Sequence, residues 1–379
     1  MTKRETVMHD ADQQYMQQAL ALAARGAFGT PPNPNVGCVI VRDGQVVGRG
    51  WHERPGEPHA EVHALREAAE LAQGATAYVT LEPCSHHGRT PPCADALIKA
   101  QVARVVVAMR DPNPLVAGQG IARLEAAGIK VQVGVLEQQA RTLNQGFIAR
   151  MERNRPWLRL KMAMSVDGRT ALANGASQWI TSREAREDVH RFRAQSGAVL
   201  TTARTVLMDH ALMTARHPQA ERQPLRVLLD RQQQVPVEHP FFAQASPVLR
   251  VVSPTTTAGS DWPEHVQTLE VQSFQQRLPL HDIFAKLAEY DVNDVWTECG
   301  AELAGALTSA GLVDEWVLYV APKLLGDSSR GVVQLPNFHH LDQVPEMRFE
   351  SVTMLGHDLR ICARPLHASD RPTTGEVQS

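Results

Sequence analysis

Three residues in the N-terminal third could hold a metal ion. His59 opens the run His59-Ala60-Glu61, Cys84 follows Pro83, and Cys93 follows Pro92. One imidazole and two thiolates suit zinc, and a catalytic zinc site keeps three protein ligands with a fourth position for water. Zinc held this way lowers the pKa of its water to about 7, so hydroxide chemistry becomes available at neutral pH. Glu61, two residues from the ligand His59, is the candidate proton carrier, a role worth roughly 10²–10⁴ in rate. The chemistry this allows is hydrolytic attack on an amino-bearing ring carbon.

Other readings of the same residues compete with this one. A buried His and two buried Cys can be plain core, and a fourth ligand would make the site structural and closed. His63, His86 and His87 are near enough in sequence to supply one. The His59/His63 spacing matches zinc peptidases, but there a Glu directly follows the first His; here it comes one residue later. His52 reads as a packing or substrate residue. Glu61 tips the balance to a catalytic site, since His-x-Glu with a later Pro-Cys and Cys is the zinc deaminase signature. Eight residues separate Cys84 from Cys93, where the short form of the signature has two.

The elements that must position these residues are legible nearby. Pro58 suits a first helical turn, and Ala60 to Ala72 reads as a buried helix closed by Gly74. Ala77 to Leu81 reads as a strand delivering Cys84. Cys93 opens a helix to Ala100, where the dipole favours a thiolate. Upstream, a helix from Ala11 to Arg25 follows a polar start expected to be loose. Val36–Val41 and Val46–Gly48 form a hairpin through an Asp43-Gly44 turn. A strand (104–109), a helix (120–128), a strand (130–135) and a helical stretch (136–153) complete an α/β layered unit.

At 379 residues, two domains are expected. The boundary falls near Pro156, which discourages the preceding helix, giving a first domain over 1–153 and a second over 154–366. The second has strands at 157–161, 197–202, 226–230, 248–252, 294–297 and 315–321, with helices at 182–195, 281–290 and 302–309. Residues 367–379 read as a disordered tail. Net charge is −3 with 21% charged residues, which gives no basic footprint for nucleic acid. No apolar run is long enough to cross a membrane. Five cysteines without a secretory segment point to a reducing, cytoplasmic setting. A homo-oligomeric state is left open.

The second half carries one weak signal of its own. Val295 to Gly300 runs from a strand through a glycine into a helix, a junction that can hold phosphate. An ordinary tight turn explains it equally well, and Glu302 would repel a close phosphate.

Over nearly the whole chain, these residues resemble the bifunctional riboflavin-biosynthesis deaminase–reductases. The likeness rests on Asn33-Pro34-Asn35-Val36-Gly37-Cys38, His59-Ala60-Glu61-Val62-His63-Ala64 and the stretch Thr80 to Cys93. In the second half it rests on Lys161, Ser165 to Arg169, Ser177 to Thr181 and Ala321 to Gly326. The resemblance implies a cytidine-deaminase-like α/β/α domain followed by a dihydrofolate-reductase-like α/β domain. The first would hydrolyse the 2-amino group of a diaminohydroxypyrimidine carrying phosphoribosylamine. The second would use NADPH to reduce the ribosyl group to ribityl. It also implies NADPH contacts at Ala163, Trp179, Thr205, Asp209 and the turn Gly300, Ala301, Glu302, Leu303, Ala304, Gly305 and Ala306. Contacts to the phosphorylated pyrimidine fall at Ser177, Arg193, Met213, Arg216 and Glu298, with Asn33 in the deaminase pocket. Arg193 and Arg216 would each offer phosphate a bidentate fork. Lys161 and Asp209 are the candidates for protonating the sugar.

This chain departs from the family pattern in the reductase half. Asp209 to Arg216 lacks the proline usual in that loop, Arg231 stands where a small Ser is common, and Ala301-Glu302 replaces a Pro-Thr pair. Two rival readings remain: a nucleoside or tRNA deaminase, and a deaminase whose second domain only dimerises or senses nucleotide.

Overall fold

The computed structural model describes residues 3–85, 91–114, 116–254 and 261–366, with residues 3–9 described by backbone alone. The expected tail at 367–379 lies outside the described residues. The chain divides into two compact units, residues 1–156 with 287–293, and residues 157–286 with 294–379.

In the first unit, α1 (Lys3–Ala23) leads to β1 (Gly37–Arg42) and β2 (Gln45–Trp51), then α2 (Ala60–Ala68) and β3 (Thr76–Val79). There follow α3 (Cys93–Lys99), β4 (Arg104–Val107), α4 (Gln119–Ala126), β5 (Lys130–Val133), α5 (Glu137–Leu143) and α6 (Gln145–Arg153). The strands form one sheet in the order β2-β1-β3-β4-β5, antiparallel at the hairpin edge and parallel from β3 to β5. Asp43 and Gly44 both take positive φ (50° and 77°), the geometry of a two-residue hairpin turn that follows strand twist. The first helix starts at Lys3 rather than near Ala11, because the polar segment contains no Gly or Pro to interrupt it.

Two expected helices are broken. The stretch after His59 leaves α-geometry at Ala69, where φ is 47°, and continues as a 3₁₀ turn to Ala72. The stretch 136–153 splits at Asn144, whose side chain accepts from Asn35 N (2.7 Å) and donates to Asn35 O (2.9 Å). That amide is recruited by a strand-side segment distant in sequence, which overrides local helix propensity.

The sheet holds the metal-site helix unusually close. The face of α2 made by Ala60, Ala64 and Ala68 is buried, and it meets the hairpin where β2 has no side chains. A Cβ on Gly50 would stand 2.2 Å from Ala60 O, and one on Gly48 would stand 2.1 Å from Ala64 O. Since the obstacles are helix backbone, Gly50→Ala should shift α2 bodily. The expected cost is about 1–3 kcal/mol, read as a lower melting temperature together with weaker zinc retention.

The second unit contains β6 (Trp157–Ser165), β7 (Arg169–Ala171), α7 (Arg183–Gln195), β8 (Ala198–Thr202), α8 (Ala203–Asp209), β9 (Leu225–Leu229) and α9 (Pro240–Ala243). It continues through β10 (Val248–Val252), β11 (Val266–Glu270), α10 (Leu280–Glu289), β12 (Asp294–Glu298), α11 (Ala301–Ser309) and β13 (Glu315–Ala321). It ends with β14 (Arg330–Gly331), β15 (Met347–Leu355) and β16 (Asp358–Pro365). Nine strands form a sheet in the order β11-β10-β9-β8-β12-β6-β13-β16-β15, and β7 pairs separately with β14. Pairings from β11 across to β13 are parallel, while β16 and β15 add an antiparallel hairpin at the edge. The parallel strands are apolar on both faces, as in Val248–Val252, all five of them buried. The β15–β16 hairpin was not foreseen: β15 is mostly exposed and lacks the apolar alternation that marks a strand.

Candidate active sites

The first site lies where two helix starts meet the end of β3. His59 is the N-cap of α2, Cys84 lies beyond the carboxyl end of β3, and Cys93 is the first residue of α3. Their ligand atoms all fall within 4.8 Å of one another. His59 Nδ1 is 3.2 Å from Cys93 Sγ and 3.6 Å from Cys84 Sγ. A zinc tetrahedron with Zn–N of about 2.05 Å and Zn–S of about 2.3 Å has an N–S edge of roughly 3.5 Å, so the donor set fits zinc. Among the described residues the cluster has three members; His52 and His63 stand outside it. His86 and His87 lie outside the described residues.

The two thiols differ. Hydrogen bonding from Cys93 and from His59 holds the Cys84 thiol well below its ordinary value, against the effect of burial. The Cys84 sulfur and burial push the Cys93 thiol up. Cys93 N–H donates to Cys84 Sγ at 3.3 Å, as expected for a thiolate facing a helix start.

Glu61 sits on the first turn of α2 and is buried, 3% exposed. Burial pushes its carboxyl up to about 6, partly offset by His59. Its Oε2 has no hydrogen-bond partner. A buried carboxylate oxygen without a partner is costly, and it marks where a polar group of the reaction belongs. Asn33 donates its amide to His52 Nε2 (2.9 Å), while His52 Nδ1 faces Pro58 O (3.3 Å) and its ring packs edge-on to His59 (5.3 Å between centroids). His52 is therefore a neutral imidazole that braces the ligand, its pKa lowered by burial.

Glu82 is a site-shaping residue that sequence reasoning passed over. Its buried carboxylate accepts from the backbone N–H of Asp111, Gly118, Gly120 and Ile121 at 2.9–3.2 Å. Two residues before Cys84, it ties the metal loop to the start of α4. The signal available was a carboxylate at a strand end, too common to single out.

The second site is an open cleft of about 2170 Å³ in the second unit. Its residues come from the carboxyl ends of β8, β9 and β12, from β6 and from the segments that follow, the place where open parallel sheets bind ligands. Ala163, Ser177, Trp179, Arg193, Thr205, Asp209, Met213, Arg216 and Glu298 all line it, as do Gly300, Ala301, Glu302, Leu303, Gly305 and Ala306. Ala304 does not: its side chain is fully buried beneath α11, because the helical period turns it away from the cleft. Met213 points its side chain into the core, so only its backbone, at φ 56°, can face a ligand. Trp179 is 64% exposed, with the Arg186 guanidinium 4.6 Å from its ring centroid.

Arg193 corrects one expectation. Its fork closes on Glu298, with Nε to Oε1 at 2.5 Å and Nη2 to Oε2 at 2.9 Å, so it is not open to phosphate. Glu298 also accepts from the Trp296 indole N–H at 2.9 Å and lies 3.8 Å from Lys161 Nζ. Burial alone would raise the Glu298 pKa, but Arg193 and then Lys161 bring it down to about 2. Arg216 packs on His190, with Nη2 at 2.9 Å from Nε2. Burial first, then Arg193 and Arg216, pushes the His190 pKa down to about 4, so this imidazole is neutral at pH 7.

Residues 9–109 match the cytidine and deoxycytidylate deaminase zinc-binding region, and residues 156–361 match the RibD C-terminal domain. Riboflavin biosynthesis protein RibD of Escherichia coli K12 is 51% identical over 360 residues, covering 92% of this chain and 98% of that one. The chain belongs to the RibD family. RibD of Haemophilus influenzae is 45% identical over 364 residues, covering 93% and 96% of the two chains. The structure of Acinetobacter baumannii RibD matches with a TM-score of 0.88 at 45% identity, covering 95% and 100%. A Thermotoga maritima protein described as a diaminohydroxyphosphoribosylaminopyrimidine deaminase/5-amino-6-(5-phosphoribosylamino)uracil reductase matches at 0.84 and 32% identity, over 95% and 100%.

As a RibD family member the chain is a bifunctional deaminase and reductase of riboflavin biosynthesis, with zinc and NADPH as its cofactors. Its N-terminal part is the deaminase-like domain, and its C-terminal part is the dihydrofolate-reductase-like reductase domain. Neither the nucleoside or tRNA reading nor the non-catalytic second domain describes this family. Among the described residues, no helix is long and apolar enough to cross a membrane.

Proposed function

We propose that the first domain, over 1–153, deaminates 2,5-diamino-6-(5-phosphoribosylamino)pyrimidin-4(3H)-one, and that the second, over 154–366, reduces the ribosyl group of the product to ribityl. The observation that carries the reading is the His59/Cys84/Cys93 cluster beside the unpartnered Oε2 of buried Glu61. Zinc held there supplies Lewis acidity toward water. Glu61 takes up and returns protons at Oε2 as the ring amine departs. Asn33, fixed by His52, offers its remaining amide oxygen to the pyrimidine, and Glu82 holds the Cys84 loop in register.

In the second domain, NADPH supplies the hydride and the protein supplies orientation. The cleft fits a dinucleotide: it is long, and Gly300 at the start of α11 is open, with no heavy atom within 4 Å of a Cβ placed there. Ala163, Trp179, Thr205, Asp209 and the exposed turn of α11 are assigned to the cofactor. Ser177, Arg216, Glu298 and the Met213 backbone are assigned to the phosphorylated pyrimidine, with Arg193 orienting Glu298. Lys161 and Asp209 are the two groups able to hand a proton to the sugar. The partners are small molecules, without nucleic acid or membrane, and the setting is cytoplasmic.

A stepwise assay on purified protein tests this. With the diaminopyrimidine ribotide alone, ammonia should form and reduction should not follow until NADPH is added. Stripping zinc with a chelator should abolish ammonia release while leaving NADPH oxidation on the deaminated ribotide. Equal activity on cytidine or adenosine, or loss of both activities on zinc removal, would contradict the reading.

A further inference from the structure

The cleft's charges fall into two groups. Lys161, Arg193 and Arg216 surround Glu298 at the end of β12, and their charges act on one another. Arg204 and Arg231 form the second group. The β8/β9 register pairs Thr202 with Leu229. Arg204 and Arg231 each stand two residues past those partners, so they leave adjacent strand ends side by side, and both line the cleft.

Among the described residues, neither side chain has an ion-pair or hydrogen-bond partner. Asp230, the acid beside Arg231 in sequence, is already committed. It is buried and accepts from Gln234 N (2.8 Å) and Val235 N (3.1 Å). Two uncompensated guanidinium groups on one wall of a dinucleotide-sized cleft make a place for a dianion.

We propose that Arg204 and Arg231 hold the 2′-phosphate of NADPH and so select it over NADH. This rests on the reading of the cleft as the NADPH site. A terminal phosphate monoester is the group a guanidinium fork grips best, and an arginine beyond a strand end is a known means of accepting the 2′-phosphate in doubly wound sheets. The substrate's own phosphate has the same chemistry, but it belongs with the Lys161–Arg193–Arg216 group around Glu298. Arg231 replaces the small Ser common at this point in the family, so the grip would be a property of this chain.

The test is calorimetric titration of the zinc-loaded, full-length protein with NADP⁺, NAD⁺ and ribose 5-phosphate, comparing wild type with Arg204→Ala, Arg231→Ala and Arg231→Ser. Each variant should lose on the order of 10-fold or more in NADP⁺ affinity. NAD⁺ and ribose 5-phosphate should bind as in wild type, and the salt dependence of NADP⁺ binding should flatten. Equal loss for both dinucleotides, unchanged NADP⁺ binding, or loss confined to ribose 5-phosphate would overturn the proposal. Wild-type protein that binds neither dinucleotide would instead sink the reading of the cleft, and this inference with it. Matching melting curves for Arg231→Ser and wild type separate lost contacts from lost folding.

Discussion

Glu61→Gln should retain its zinc and lose deamination by about 10²–10⁴-fold, while NADPH oxidation on the deaminated ribotide stays at the wild-type rate. Gln keeps the shape of Glu but cannot carry a proton at the position of Oε2. The residue is buried on the first turn of a helix whose alanine face is seated on the hairpin, so the substitution has little room to move. Metal analysis, ammonia release and NADPH oxidation, measured on one preparation, check the three parts separately. Full deamination by the variant would remove Glu61 from the mechanism. Loss of zinc would make it a structural support of the ligands instead.

The largest stability effect is expected at Glu298→Gln. The carboxylate takes two hydrogen bonds from Arg193 and one from Trp296, with Lys161 nearby, all with low exposure. Removing it leaves buried cations without their anion, a change that costs about 3–5 kcal/mol. Unfolding followed by tryptophan fluorescence should show the second unit melting earlier, because Trp296 donates directly to the lost oxygen. The same carboxylate sets a pH dependence. Its folded pKa is held near 2, below the usual carboxylate value of 4.5, so its contribution is complete above about pH 5 and is lost as pH falls toward 2. In Glu298→Gln that acid-sensitive component should vanish. A variant as stable as wild type, with the same acid profile, would show that the Arg193 contact carries no net energy.

Local patterns were the readable part of this chain. The zinc donors sit within two residues of Pro58, Pro83 and Pro92, which fix where helix and strand begin, and Glu61 follows His59 on the same helical turn. The buried parallel strands announce themselves as short apolar runs, and Val248–Val252 has the bounds expected of it. Resemblance supplied most of the reductase assignments, since no single motif there has chemistry of its own.

What sequence could not decide was settled by contacts between distant segments. Asn144 breaks a helix because Asn35 claims its amide, and β16 becomes a strand by pairing with β13 rather than by its own pattern. Arg193 looks free to grip phosphate until folding brings Glu298, 105 residues away, into its fork. The helical period of α11 takes Ala304 out of a turn that reads as a continuous cofactor contact. Residue types and short spacings therefore determined which chemistry the chain can perform. Only the tertiary structure decided which charges remain available for it, because a charge's partner is set by proximity in space.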